Sequence, residues 1–314
     1  MFDIPVTSPI FYFLILPILV LLARYIVQRS TFYSALAEPA HDTFEPERIV
    51  NERFKNRHEM LDGLRGFLAL GVLFQHAMTN FTYFNTGIWE ITPIKFYRFA
   101  GGEAVILFFL ITSFLYWSKA IRSKGNISAV TIYRNRFWRL APMYLFSAGL
   151  VTLSVLVQTQ FELHSVIGFF KDILSWLSLG LVTTTSMNTV SIIPINAGIH
   201  WTLHYEWIFY LLLPVTAFAL RGGLYSLLYV PLVASIFLTK DWGYWIIFLF
   251  GMGLAHIVHK WPRAGWFKTN WFASVLPILL IFLVYIYQFK PYSVPQYALS
   301  SLALLCFKIG RAHV

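Results

Sequence analysis

The chain has 314 residues, of which 58% are hydrophobic and only 12% are charged, and its mean hydropathy is +0.64. Soluble domains carry about 25% charged residues, so this composition predicts a polytopic membrane protein and excludes an ordinary soluble enzyme. The net charge of +10 does not indicate nucleic-acid binding, because the basic residues cluster between apolar segments and no basic aromatic face is present. The single cysteine, Cys306, excludes a disulfide framework and a multi-cysteine metal site.

The N-terminal region is predicted to be an anchor helix within residues 1–30, followed by a charged cytoplasmic linker at 31–57. A signal peptide is the alternative, because the Ala-Leu-Ala sequence at 35–37 resembles a cleavage site. Against it, the apolar run at 9–27 is too long for a signal-peptide core, and no Lys or Arg precedes it. We therefore expect a retained anchor.

From residue 58 onwards, apolar segments alternate with short loops. This pattern predicts an all-α bundle of about nine or ten transmembrane helices, the anchor included. Lys and Arg are concentrated in the loops at 118–139, 221 and 260–268, which the positive-inside rule assigns to the cytoplasm. The predicted segments of the core are 67–86, 100–118, 140–158, 164–182, 200–220, 223–239, 242–259, 271–289 and 292–307.

The segment at 164–182 differs from the others because Lys171 and Asp172 lie near its middle, and an uncharged polar loop follows it. We predict that it is re-entrant, or a partial helix packed inside the bundle. Membrane proteins tolerate such backbone where protein or a water-filled cavity surrounds it. An ordinary span with one snorkelling lysine is the alternative.

Arg65 and His76 lie 11 positions apart in one apolar segment. This spacing is about three helical turns, so both side chains lie on one face, about 16 Å apart along the axis. Ionisable groups inside a membrane span are costly and indicate function, and an imidazole can act as general base or nucleophile. Asp62, three positions before Arg65, can brace the guanidinium. A snorkelling arginine and a hydrogen-bonded core histidine are the alternative.

Arg134, Arg136 and Arg139 precede another span and are predicted to lie at a cytoplasmic helix N-terminus. Guanidinium groups and helix N-termini both bind phosphates, so these residues are candidates for an anion site. Ordinary positive-inside charge is the alternative.

Two further spans contain acidic residues. Glu206, Tyr210 and Pro214 follow one another at four-residue steps, which places them along one stripe of a helix. A carboxylate in hydrocarbon needs a partner or a proton, so Glu206 is either catalytic or a structural hydrogen-bonding group. Glu103 opens the other span and is predicted to face a cavity. Ser113, in the same span, is predicted either to pack helices or to contact substrate.

Two histidine pairs, His200 with His204 and His256 with His259, have spacings that a metal site could use. Membrane di-iron hydroxylases use histidine clusters of this kind, but they also need adjacent histidines, which this chain lacks. We therefore predict no metal site.

Taken in order, these segments resemble the acyltransferase-3 family of integral membrane acyltransferases. Arg65 and His76 match its Arg-x10-His signature, and Arg136 and Arg139 match its Arg-x-x-Arg signature. The sequence FFLITSFL resembles its FF-x-x-Ser-Gly-Phe stretch. The family's Trp-x-Leu-x-x-Glu helix with later Tyr and Pro is matched by Trp201, Leu203, Glu206, Tyr210 and Pro214.

The family O-acylates surface polysaccharides, lipopolysaccharide or peptidoglycan in bacteria. The resemblance therefore implies an enzyme of the inner membrane that uses cytoplasmic acyl-CoA, usually acetyl-CoA, and a carbohydrate or glycolipid acceptor. It implies no bound cofactor and no metal, and the placement of the basic residues already argues against a nucleic-acid partner. The expected catalytic residues are His76, Arg65 and Glu206. The expected donor-binding residues are Arg136, Arg139 and Arg134. The expected supporting residues are Asp62, Glu103, Ser113, Trp201 and Tyr210.

The chain departs from the family at the pair Thr112-Ser113, which replaces Ser-Gly, and in its additional N-terminal helix. The acyltransferase core is predicted at 58–308, and by the family's pattern it should continue for at least one more span. We expect residues 309–314, IGRAHV, to be a non-native tail, because a common sequencing adapter encodes this string. A transporter or flippase that uses intramembrane Arg, His and Glu is the main rival, and a di-iron hydroxylase is a weaker one.

Overall fold

The computed structural model describes parts of residues 8–25, residues 59–220 except 183, 199 and 219, and the ranges 242–260, 270–287 and 293–310. The predicted linker at 31–57, the predicted span at 223–239 and the basic residues at 221 and 263–268 lie outside the described residues. The described part is mostly helical. Its elements are α1 (Glu59–Thr86), α2 (Lys95–Arg122), α3 (Ala129–Gln158), α4 (Val166–Leu177), β1 (Ser186–Met187), β2 (Val190–Ser191), α5 (Ile193–Asn196), α6 (His200–Phe218), α7 (Trp242–Lys260), α8 (Asn270–Tyr287) and α9 (Val294–Gly310).

Each predicted apolar segment that falls in the described residues coincides with a helix, and most helices extend a few residues beyond the apolar run. Two helices of the described part, α2 and α3, are long and apolar enough by composition to cross a membrane. They have 28 and 30 residues, or about 42 and 45 Å, against a hydrocarbon core of about 30 Å. The count of nine or ten transmembrane helices stays a prediction.

Helix α2 is the centre of the bundle. Its residues Ile106, Leu110, Ile111 and Trp117 are completely buried, and it packs against α1, α6, α7 and α9. In the most apolar 18-residue stretch of α2, 67% of the residues are buried inside the protein. In the corresponding stretch of α3, only 22% are buried. Helix α3 is therefore peripheral, and α2 is the helix on which the others are positioned.

Small residues allow α1 and α7 to approach α2 closely. A Cβ atom added to Gly71 of α1 would lie 3.3 Å from the carbonyl oxygen of Ala100 on α2. On the other side of α2, a Cβ atom on Gly251 of α7 would collide with Ser113. Close approach through small residues is typical of helix packing in membranes. The order of the contacts along the helices shows that α1 is antiparallel to α2 and that α7 is parallel to it.

The segment predicted to be re-entrant or partly helical forms the short helix α4, followed by the β1–β2 hairpin and the single turn α5. Helix α4 has 12 residues, or about 18 Å, which is too short to cross the hydrocarbon core. Lys171 is exposed, and Asp172 accepts a 3.2 Å hydrogen bond from the backbone N–H of Asn188 in the hairpin. The segment therefore does not make a simple helical crossing, and its position in a bilayer stays a prediction.

The first residues contact the start of α2. The hydroxyl of Tyr97 donates to the carbonyl oxygen of Ser8 at 3.0 Å, and the rings of Phe13 and Phe96 lie 5.6 Å apart. The described residues between 13 and 25 are helical. Their role as an anchor stays a prediction.

Candidate active site

Side chains from α1, α3 and α6 meet at one end of the bundle. Arg65 of α1 lies within electrostatic range of Arg136 and Arg139 on α3 and of Glu206 and Tyr210 on α6. These five residues come from three predicted motifs that are far apart in the chain. We refer to them, together with Tyr116 of α2, as the arginine cluster.

Arg136 lies between two tyrosine rings of the arginine cluster. Its Nε–H donates to the hydroxyl of Tyr116. Its Cζ atom lies 4.7 Å from the ring centroid of Tyr116 and 4.9 Å from that of Tyr210, and the two ring centroids are 5.2 Å apart. A guanidinium over aromatic faces is stabilised by cation–π attraction, which strengthens where water is excluded. The guanidinium of Arg136 thus faces both tyrosine rings.

Glu206 is the carboxylate of the cluster. Tyr210, one helical turn later on α6, is fully buried and donates its hydroxyl to the Oε2 atom of Glu206 at 2.8 Å. Buried tyrosine hydroxyls usually need such a partner. Pro214, on the same stripe, lies inside α6 one turn further along. Glu206 and Tyr210 therefore act as a unit on the face of α6 that meets Arg136.

The arginine cluster carries more positive than negative charge. Among the described residues, the cluster contains three guanidinium groups, those of Arg65, Arg136 and Arg139, and one carboxylate, that of Glu206, which lies within electrostatic range of Arg65 and Arg136. Arg139 is exposed and Arg65 is half-buried, and the Cζ atom of Arg65 lies 5.9 Å from the ring centroid of Phe108. Like charges in a partly desolvated place repel each other unless an anion is bound. Such an arrangement is suited to binding an anionic group.

Arg134 and Asp62 are the predicted site residues that the structure does not join to the cluster. Arg134 is exposed, and within the described residues it has no contact with the cluster. Asp62 lies in the first turns of α1, and its side chain is outside the described part.

His76 lies on the same face of α1 as Arg65, about 16 Å along the axis from it. The side chain is half-buried, and its Nδ1 atom is buried without a hydrogen-bond partner among the described residues. A buried polar atom without a partner is rare and calls for an explanation, of which catalysis is one. Within the described part, no hydrogen bond joins His76 to Glu206, which is bound to Tyr210 at the other end of the face.

Glu103, Ser113 and Trp201 lie away from the arginine cluster. Glu103 is buried in α2 and accepts hydrogen bonds from Gln296 at 3.0 Å and from Ser300, both on α9. The hydroxyl of Ser113 is 2.8 Å from the carbonyl oxygen of Phe109 in its own helix.

Trp201 is part of an aromatic cluster at the start of α6. Its ring centroid lies 5.0 Å from that of Tyr244 on α7 and 5.9 Å from that of Tyr205. These contacts make Trp201 a packing residue between α6 and α7.

Each of the four histidines considered for a metal site bonds a different neighbour. The pairs are Trp117 Nε1 with His256 Nε2 at 2.9 Å, His259 Nε2 with the carbonyl oxygen of Ser118 at 3.3 Å, Asn196 Nδ2 with His200 Nδ1 at 3.1 Å, and His204 Nδ1 with the carbonyl oxygen of Leu181 at 3.0 Å. In the described ranges, no three His, Cys, Asp or Glu side chains lie close enough together to hold a metal ion.

Tyr116 is the residue of the cluster that belongs to none of the predicted motifs. It lies 20 positions before Arg136 in the chain, and no motif connects the two. The available signal was weak: a tyrosine hydroxyl inside an apolar span needs a hydrogen-bond partner.

Comparison with protein-family models finds a match over residues 59–311, to the acyltransferase-3 model described as an acyltransferase domain. The match covers most of the chain and includes His76 and the whole arginine cluster. No curated protein and no solved structure matches the chain.

Proposed function

The chain belongs to the acyltransferase-3 family, whose members are membrane proteins, and on this premise we propose that it transfers an acyl group from cytoplasmic acyl-CoA to a hydroxyl of a cell-surface carbohydrate or glycolipid. Acetyl is the acyl group we propose. The observation that supports this proposal is the spacing between Arg65 of the arginine cluster and His76, which lie about three turns apart on one face of α1.

The donor binds at the arginine cluster in this proposal. Coenzyme A carries several phosphate charges, and the cluster holds three guanidinium groups against one carboxylate. Arg65 and Arg139 form charge-assisted hydrogen bonds with the phosphates, which are stronger than neutral ones. The pantetheine arm then extends along the face of α1, so that the thioester reaches His76.

His76 is the reactive group, and it can act in two ways. As a general base, its imidazole takes the proton of the acceptor hydroxyl while the hydroxyl oxygen attacks the thioester carbonyl carbon. The C–S bond breaks, and the coenzyme A thiolate receives the proton from the imidazolium. The products are the O-acyl ester and free coenzyme A.

As a nucleophile, an imidazole nitrogen of His76 attacks the thioester carbonyl carbon first. The C–S bond breaks, the coenzyme A thiolate takes the N–H proton of the imidazole and leaves as a thiol, and the acyl group stays on the imidazole. The acceptor hydroxyl oxygen then attacks the acyl carbon, the C–N bond breaks, and the freed imidazole nitrogen takes the hydroxyl proton. Both routes give the same products and need His76 at the same place.

Incubation of membranes containing the protein with labelled acetyl-CoA tests this proposal. We expect label in the glycan or glycolipid fraction, and membranes without the protein should give none. Mass analysis of surface glycans from a deletion strain identifies the acceptor through the O-acyl group that is lost. Equal labelling with and without the protein would contradict the proposed function.

A further inference from the structure

We propose that Tyr116 is a positioning residue of the donor site, which holds the guanidinium of Arg136 so that its terminal N–H groups face the anionic part of the acyl donor. This inference rests on the proposed function and extends it to a residue outside the motifs that led to it. Tyr116 touches Arg136, and in this proposal it acts on the donor only through Arg136.

The hydrogen bonding of Arg136 supports this role. A guanidinium has five N–H donors in a fixed plane, and the Nε–H of Arg136 is bound to the Tyr116 hydroxyl. Among the described residues, its four terminal N–H groups have no protein acceptor. A bond at Nε together with two flanking rings fixes the plane of the guanidinium. The edge that remains, formed by the two terminal NH2 groups, can bind two phosphate or carboxylate oxygens at once.

Tyr116 is itself held in place by the turn of α2 that carries it. The next residue, Trp117, is completely buried and donates its indole N–H to His256 on α7 at 2.9 Å. The carbonyl oxygen of Ser118 is 3.3 Å from Nε2 of His259, one turn later on α7. Helix α7 thus fixes one side of this turn, and Tyr116 extends from the opposite side towards α3 and α6.

The charge balance argues against a purely structural brace. A cation that only joins helices is stabilised by an anionic partner, and a buried charge is costly without one. Among the described residues, Arg136 and Arg65 share one carboxylate, that of Glu206, and Arg139 adds a third guanidinium group within electrostatic range of Arg65. The excess of positive charge makes the cluster more stable when an anion is bound, and Tyr116 orients one of the groups that would meet it.

The test is Tyr116→Phe, which keeps the ring and removes the hydroxyl. Purified wild-type and variant enzymes are compared by transfer kinetics and by direct acetyl-CoA binding. We expect the KM for acetyl-CoA and its Kd to rise about three- to tenfold, as for the loss of one hydrogen bond, with kcat at saturating donor within twofold. Tyr116→Leu, which also removes the ring, should raise both constants further.

Tyr133→Phe is the matched control. The hydroxyl of Tyr133 also bonds within the bundle, at 3.2 Å to the carbonyl oxygen of Leu211, and it joins α3 to α6 without a hydrogen bond or cation–π contact with Arg136 among the described residues. We expect wild-type KM and Kd for this variant. A thermal unfolding midpoint measured for each variant separates loss of fold from loss of donor binding.

Two results would overturn the role of Tyr116. In the first, Tyr116→Phe has the wild-type KM and Kd for acetyl-CoA. In the second, the KM of Tyr116→Phe changes no more than the KM of the control Tyr133→Phe. In both cases a wild-type enzyme that transfers the acyl group leaves the proposed function standing. A wild-type protein that neither binds acetyl-CoA nor transfers its acyl group would instead contradict the proposed function, and this role with it.

Discussion

The hydroxyl of Tyr210 donates a 2.8 Å hydrogen bond to Glu206, one turn earlier on the same helix, and the ring of Tyr210 lies 4.9 Å from the guanidinium of Arg136. One residue therefore joins the carboxylate of the site to the guanidinium of Arg136. The arrangement keeps Glu206 within electrostatic range of Arg65 and Arg136 without a direct hydrogen bond to either of them in the described residues. We expect this geometry to leave the guanidinium edges available to an anionic ligand.

Removal of the Glu206 carboxylate should make the stability of the protein depend more strongly on a bound anion. Glu206→Ala removes the carboxylate that lies near Arg65 and Arg136, so we expect a lower thermal unfolding midpoint than for Tyr210→Phe, which removes only a hydroxyl. Pyrophosphate or coenzyme A should restore more stability to Glu206→Ala than to the wild type. Equal ligand-induced shifts in the two proteins would count against an anion site at the cluster.

The exposed arginines of α3 should differ in their importance for donor binding. Arg139 lies within range of Arg65, whereas Arg134 has no contact with the cluster in the described part of the chain. We expect Arg139→Ala to raise the KM for acetyl-CoA about tenfold or more, as for the loss of a hydrogen bond to a charged group, and Arg134→Ala to raise it less than twofold. Steady-state kinetics at fixed ionic strength make the comparison, because salt screens such contacts. Equal effects of the two substitutions would argue for a diffuse positive surface.

The packing of α7 on α2 should tolerate no side chain at Gly251. A Cβ atom there meets Ser113 and would lie 2.6 Å from the carbonyl oxygen of Leu110, so the helices must separate. Overpacking of this kind costs about 1–3 kcal/mol. We expect Gly251→Ala to lower the thermal unfolding midpoint, with Gly253→Ala as the control, because a Cβ atom at Gly253 has no neighbour within 4 Å. A wild-type midpoint for Gly251→Ala would show that the contact is looser than described.

The buried carboxyl of Glu103 should contribute to stability through α9 and not to donor binding. Ser300 donates to Glu103, whereas the hydroxyl of the adjacent Ser301 is buried without a partner in the described residues. Ser300→Ala should cost about 1–2 kcal/mol, and Ser301→Ala should be neutral or stabilising. Both variants should keep the wild-type KM for acetyl-CoA. A raised KM in Ser300→Ala alone would instead join Glu103 to the donor path.

The positions of the helices followed from the sequence because hydropathy and length decide them. The shared face of Arg65 and His76 also followed, since it depends only on the helical repeat. The contacts between helices did not follow. Glu103 and Gln296 are 193 positions apart in the chain, and Tyr116 meets Arg136 only because α2 and α3 approach each other at these two side chains. Periodicity states which face of a helix is apolar, but it does not state which neighbour covers that face.

The position of Glu206 shows the same distinction. Its stripe with Tyr210 was predictable from four-residue spacing, and the hydrogen bond between them is local. Its neighbours across the bundle were not predictable, and they are Arg65 and Arg136. A role for Glu206 in donor binding is therefore better supported than a role in orienting His76.

The central claim is that donor binding and acyl transfer take place at opposite ends of one face of α1. The direct test is His76→Ala, with acetyl-CoA binding and label transfer measured on the same purified sample and His164→Ala, a substitution of an exposed histidine, as the control. We predict that His76→Ala binds acetyl-CoA within about twofold of the wild-type Kd, as expected where a distant contact is removed, and transfers less than about one hundredth of the label. Full transfer by His76→Ala, with the control also active, would contradict the account.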